Sequence, residues 1–180
     1  MVVNEVRPGD VALDLGAHIG YYTLSLARLV GPSGKGLAFE PAPSNFALLK
    51  RNVELNGYAN VELVNAAVSD RPGQLRLYRS ADNAGDHRLH VASEDRASVE
   101  ADVGTADDVF RGRRGGVDFV KMDVQGGEGA ALEGMIDALA RSPRVKILME
   151  FWPSSRRIRT FHLPINTVTR RWGGTGRRRG

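Results

Sequence analysis

The chain contains no cysteine, which excludes disulfides and thiolate metal sites and fits a reducing compartment. It has no apolar run approaching the roughly 20 residues of a membrane-spanning helix. The first ten residues carry Glu5, Arg7 and Asp10, so they lack the apolar stretch of a secretory leader. The expectation is a soluble, cytoplasmic protein with no membrane span. There is no internal repeat, and no group of residues has metal-ligand spacing, so no metal is assigned. Residues 154–180 hold eight arginines and no acid. Without those arginines the count is 17 basic against 21 acidic, so residues 1–153 carry about −4 despite a net charge of +4 for the whole chain. Such a body gives no sign of nucleic-acid binding. Arginine runs such as Arg177-Arg178-Arg179, with no aromatic inside them, give affinity for anionic surfaces without specificity. After Pro153 apolar residues are sparse and unpatterned. Two parts are therefore expected: a folded domain over 1–153 and an Arg-rich, disordered tail over 154–180.

At 180 residues the chain is one domain long enough to bury a proper core. Val11-Ala12-Leu13-Asp14-Leu15 reads as a short buried strand, followed by the turn Gly16-Ala17-His18-Ile19-Gly20. Tyr22, Leu26 and Leu29 fall at helical spacing and predict a helix over Tyr21 to Val30. Gly36 to Glu40 reads as a second strand. Ser44 is expected to cap a helix that Asn56-Gly57 closes. Val61 to Val64 and Gln74 to Tyr78 alternate as strands. Residues 80–105 are polar and carry one expected strand around His90 to Ala92. Val117 to Asp123 is a strong buried strand, followed by a helix over Glu128 to Ala140 and a strand over Arg144 to Trp152. Strands alternating with helices predict an α/β fold: a doubly wound, mainly parallel sheet with helices on both faces.

Strand, glycine turn, helix lets a backbone approach a ligand closely and aims helix N–H groups at it. Glu40 closes the second strand twenty residues after Gly20, a position suited to accepting from a ribose diol. Together these point to an adenine-ribose cofactor. A nicotinamide-dependent oxidoreductase would share both features. The turn, however, is Gly16-x-x-x-Gly20 and lacks the Gly-x-Gly-x-x-Gly order that suits a pyrophosphate.

Four blocks taken together are more specific. They are Asp14-Leu15-Gly16-Ala17-His18-Ile19-Gly20, Phe39-Glu40-Pro41, Asn52 with Asn56, and Val120-Lys121-Met122-Asp123-Val124-Gln125-Gly126-Gly127-Glu128. This set resembles the FkbM family of S-adenosylmethionine-dependent methyltransferases over roughly residues 8–151. The resemblance implies a Rossmann-like class I methyltransferase fold and S-adenosyl-L-methionine as cofactor. It also implies methyl transfer to a hydroxyl of a small-molecule acceptor, commonly a sugar or a secondary metabolite.

Within that resemblance each residue acquires an expected role. Glu40 and Pro41 would meet the ribose. Gly16, Ala17 and Gly20 would let the backbone pass under the cofactor, and Asp14 would orient the turn or reach the cofactor ammonium through water. His18 would position the loop or the methionine carboxylate. Asn65, Ala66 and Ala67 would lie near the adenine, Ala66 as a small residue admitting the ring. Asp123 would hold the methionine ammonium or orient the acceptor hydroxyl. Lys121, two residues earlier, would pair with Asp123, and Glu128 would cap its helix or act in catalysis. A hydroxyl acceptor needs a base. Asp123, Glu128, His87 and Glu150 are candidates, with Asp123 first.

The chain departs from the resembled pattern at both ends. Only ten residues precede the first strand, and 154–180 do not read as the final antiparallel strand pair. The expectation is a truncated or diverged end that lacks or alters that pair. The last strand would then be an apolar edge, open to self-association as a homo-oligomer. The alternative function is a methyltransferase-like domain without activity.

Overall fold

The computed structural model describes residues 4–78, 98–113 and 115–149. Five strands form the main sheet: β1 (Val11–Leu15), β2 (Lys35–Phe39), β3 (Val61–Val64), β7 (Phe119–Met122) and β8 (Lys146–Met149). Their order is β3-β2-β1-β7-β8 and every pairing is parallel. Helix α1 (Tyr21–Val30) joins β1 to β2, and α2 (Pro43–Leu55) joins β2 to β3. The short helices α3 (Ala106–Phe110), α4 (Glu128–Glu133) and α5 (Ile136–Ala140) follow. Strands β4 (Ala67–Val68), β5 (Gly73–Tyr78) and β6 (Ser98–Gly104) make a second, three-stranded sheet in the order β4-β6-β5.

Two-residue alternation explains the layers. Leu13 and Leu15 of β1, Leu37 and Phe39 of β2, and Val120 and Met122 of β7 enter one core with Phe110 of α3, Met135 before α5 and Leu139 of α5. The intervening residues face the other way. Ala12 and Phe119 pack with Leu26 and Val30 of α1, and Ala38 packs with Leu49 and Val53 of α2. Both faces are thus covered, which is why these strands read as nearly continuous apolar runs. Burying each large apolar side chain contributes about 1.5–3 kcal/mol.

The direction of strand addition reverses between β1 and β7. The carboxyl ends of β1, β2 and β7 therefore flank a crevice, the usual binding position in an open α/β sheet.

Several expectations need correction. The cap of α2 is Ala42, with Pro43 in the first turn, so Ser44 lies inside the helix. Proline suits that position because its missing N–H would have no intrahelical partner there. The helix expected over 128–140 is two helices, broken at Gly134 and Met135. A Cβ on Gly134 would stand 1.8 Å from the Ser69 carbonyl oxygen, so the helical break occurs where the 69–70 backbone passes. Strand β6 and helix α3 were not anticipated. β5 pairs antiparallel with β6 and not with the main sheet. The expected strand around His90 to Ala92, the candidates His87 and Glu150, and the Arg-rich end all lie outside the described residues.

Candidate functional site

The turn after β1 is folded back over β2. The N–H groups of Gly16 and Ala17 both donate to the Phe39 carbonyl, at 3.1 and 2.9 Å. Gly16 has φ +77°, and a Cβ there would stand 2.0 Å from the Asp123 carbonyl oxygen. Only glycine fits at this approach of the two strand ends. His18 takes a left-handed φ of 52°, which aims its N–H at Glu40 Oε2, 2.8 Å away. Gly20 then caps α1.

Glu40 is buried at the end of β2. Its Oε1 accepts from the Ala42 N–H at 3.0 Å and from Asn45 Nδ2 at 3.3 Å. Among the described residues three protein donors therefore reach a carboxylate with about four acceptor positions, leaving one for a ligand hydroxyl. Glu40 ties the glycine turn to the start of α2 as well as facing the cavity. Asn65 does related work: its Nδ2 donates to the carbonyls of Glu40 at 2.8 Å and Pro41 at 3.3 Å. Sequence reasoning placed Asn65 near an adenine and missed Asn45. An Asn five residues after an acid, at a helix start, is the signal that could have found Asn45.

Beneath the turn lies a buried ion pair. Lys121 Nζ stands 3.1 Å from Asp14 Oδ1 and donates to the Gly16 carbonyl at 2.7 Å. The ammonium also lies 5.3 Å from the centre of the Tyr22 ring. Thr23 Oγ1 donates to Asp14 Oδ2 at 2.6 Å. Asp14 Oδ1 has no hydrogen-bond donor among the described residues, so the Lys121 charge is what balances it. The expected partner of Lys121 was Asp123. The register overturns this, because β1 and β7 set Asp14 beside Lys121 on neighbouring strands.

Asp123 begins the loop after β7. Its Oδ1 accepts from Gln125 Nε2 at 3.0 Å. Glu128 is buried, and its Oε1 accepts from the Gly126 N–H at 2.8 Å.

These elements surround a cavity of about 370 Å³, within the size range of small-molecule sites. It brings together Gly16, His18, Glu40, Pro41, Ala66 and Asp123. The other expected site residues, Asp14, Ala17, Gly20, Lys121 and Glu128, support the wall from behind and do not line it. Val68, Leu75, Leu77 and Val103 of the second sheet supply an apolar far wall that was not anticipated from the sequence. The cavity thus offers carboxylate acceptors at two strand ends, small residues between them and an apolar side. Among the described residues no group of three or more His, Asp or Glu could hold a metal ion. No helix among them is long and apolar enough to cross a membrane.

A parallel β3-β2-β1-β7-β8 sheet with a glycine turn after β1 and an acid after β2 defines the class I fold of S-adenosylmethionine-dependent methyltransferases. The chain belongs to the FkbM methyltransferase domain family, whose pattern it matches over residues 14–173. It is 44% identical over 73 residues to the 31-O-demethyl-FK506 methyltransferase FkbM of Streptomyces tacrolimicus, a stretch covering 41% of this chain and 27% of that one. It is 29% identical over 148 residues to Methyltransferase 1 of Beauveria bassiana, covering 69% of this chain and 58% of the relative. The crystal structure of a methyltransferase FkbM from Methylobacillus flagellatus superposes with a TM-score of 0.50 at 18% identity, over 76% of this chain and 36% of that one. That likeness shows the fold. The chain spans less than two thirds of the length of these relatives.

Proposed function

We propose that the chain binds S-adenosyl-L-methionine in this cavity and transfers its methyl group to a hydroxyl of a sugar or secondary metabolite. The observation that carries the reading is the convergence of Gly16, Glu40, Ala66 and Asp123 on one cavity at the strand reversal. The fit is chemical. Glu40 keeps one acceptor position for the ribose diol, Gly16 leaves its backbone bare, and Ala66 adds little bulk. The name of the S. tacrolimicus relative, an O-demethyl-FK506 methyltransferase, supports an oxygen acceptor.

When bound, the cofactor would supply an electrophilic methyl on a sulfonium. The chain's part is positioning and exclusion of water. Glu40 would orient the ribose, and Asp123, beside Gly16, would accept from the methionine ammonium. The apolar wall of Leu75, Leu77 and Val103 would keep water from the reacting end.

Calorimetric titration tests the cofactor step, with NAD as the control. Binding of S-adenosylmethionine and not NAD is expected. Binding of NAD alone would return the oxidoreductase reading. Radiolabelled methyl transfer to a panel of hydroxylated sugars and metabolites tests the acceptor class. Cofactor binding without transfer to any hydroxyl would refute the acceptor reading in favour of a domain that binds without turnover.

A further inference from the structure

Gln125 departs from ordinary backbone geometry. It is one of two non-glycine residues with positive φ among the described residues, at 52°, and the next residue, Gly126, is also left-handed at φ 99°. The other such residue is His18, in the facing turn of the same cavity. Non-glycine residues in this region are costly and persist where the surroundings over-determine them. Here the surroundings are visible. Glu128 is buried and its Oε1 accepts from the Gly126 N–H at 2.8 Å. The Gly127 N–H donates to the Val124 carbonyl at 3.2 Å. The loop is therefore clamped from behind.

The clamp keeps the Gln125 side chain beside Asp123, with Nε2 donating to Oδ1 at 3.0 Å. Both residues line the cavity. Among the described residues no other side-chain donor reaches the Asp123 carboxylate. A neutral amide here fixes the carboxylate's orientation without competing with a ligand cation for it, as a lysine would, or repelling it, as an acid would.

We infer that Gln125 is the positioning residue of the site: it holds Asp123 in the orientation that receives the ammonium end of the cofactor. Glu128 serves it by locking the strained loop. This inference rests on the cofactor reading above.

The test compares Gln125→Gly, Asp123→Asn and their double variant with the wild-type chain, by calorimetry with S-adenosylmethionine and by thermal unfolding. Glycine accepts the left-handed φ freely, so Gln125→Gly should keep or raise the melting temperature while weakening binding about tenfold or more, the worth of one hydrogen bond to a charged group. In the Asp123→Asn background, Gln125→Gly should cost nothing more, because the residue acts through Asp123. A merely structural residue would move stability and affinity together. Wild-type binding with Gln125→Gly within twofold, or full additivity with Asp123→Asn, would overturn this inference alone. A folded wild-type chain that binds no S-adenosylmethionine would overturn the cofactor reading and this one with it.

Discussion

Replacing Lys121 by methionine tests how the glycine turn is held from below. The two side chains have similar length and volume, so the change removes charge and hydrogen bonding and leaves packing largely intact. Three interactions disappear: the 3.1 Å ion pair to Asp14, the 2.7 Å bond to the Gly16 carbonyl and the contact with the Tyr22 ring. The Asp14 side chain is only 1% exposed. Its carboxylate would keep Thr23 as its single donor among the described residues and would otherwise be a buried, unbalanced charge. Breaking such a pair by removing one partner costs about 3–5 kcal/mol. For a domain of this size that is a fall of about 6–20 °C in melting temperature. Neutralising both members should cost much less, because no charge is then left behind. The assay is urea or thermal unfolding of Lys121→Met, Asp14→Asn and the double variant. The double variant should be more stable than Lys121→Met alone. A loss below about 1 kcal/mol for Lys121→Met, in the range of exposed pairs, would refute the reasoning. So would a double variant no more stable than that single one.

The remaining predictions concern the cavity wall. Gly16→Ala meets both a left-handed φ and the Asp123 backbone at 2.0 Å, so it should lose about 2–5 kcal/mol in unfolding measurements. Gly57→Ala, with φ +69° and open space around it, should lose only about 1–2 kcal/mol. Equal losses would show that the close approach of the strand ends is not the constraint. Glu40→Ala strips the acceptor from the His18 and Ala42 N–H groups. It should cost about 2–4 kcal/mol of stability and weaken S-adenosylmethionine binding about tenfold or more. A loss of affinity at unchanged melting temperature would show that Glu40 serves the ligand and not the loops.

The parts legible in the sequence were those with strong local signals. β1, β2 and β7 are buried on both faces, so they stand out as apolar runs, and Gly16, Gly20 and Glu40 mark their ends. β6 did not stand out because Ala101 is its one fully buried residue, so neither alternation nor a run is present. The break between α4 and α5 depends on Gly134 meeting the backbone of Ser69, a contact that no local pattern encodes. The same holds for Lys121. Its spacing from Asp123 suggested a partner on its own strand, yet the parallel register supplied Asp14 from the next one. Asn45, and the bonding role of Asn65, were hidden for a similar reason. Their partners on the 40–41 backbone and the Glu40 carboxylate become neighbours only after β2, α2 and β3 are assembled.

Backbone amide chemical-shift mapping with S-adenosylhomocysteine tests the central claim most directly. The account predicts perturbations concentrated at 16–20, 40–42, 66–70 and 123–127, the residues that follow β1, β2, β3 and β7. A folded chain whose amides do not move, or whose shifts fall away from those segments, would contradict it.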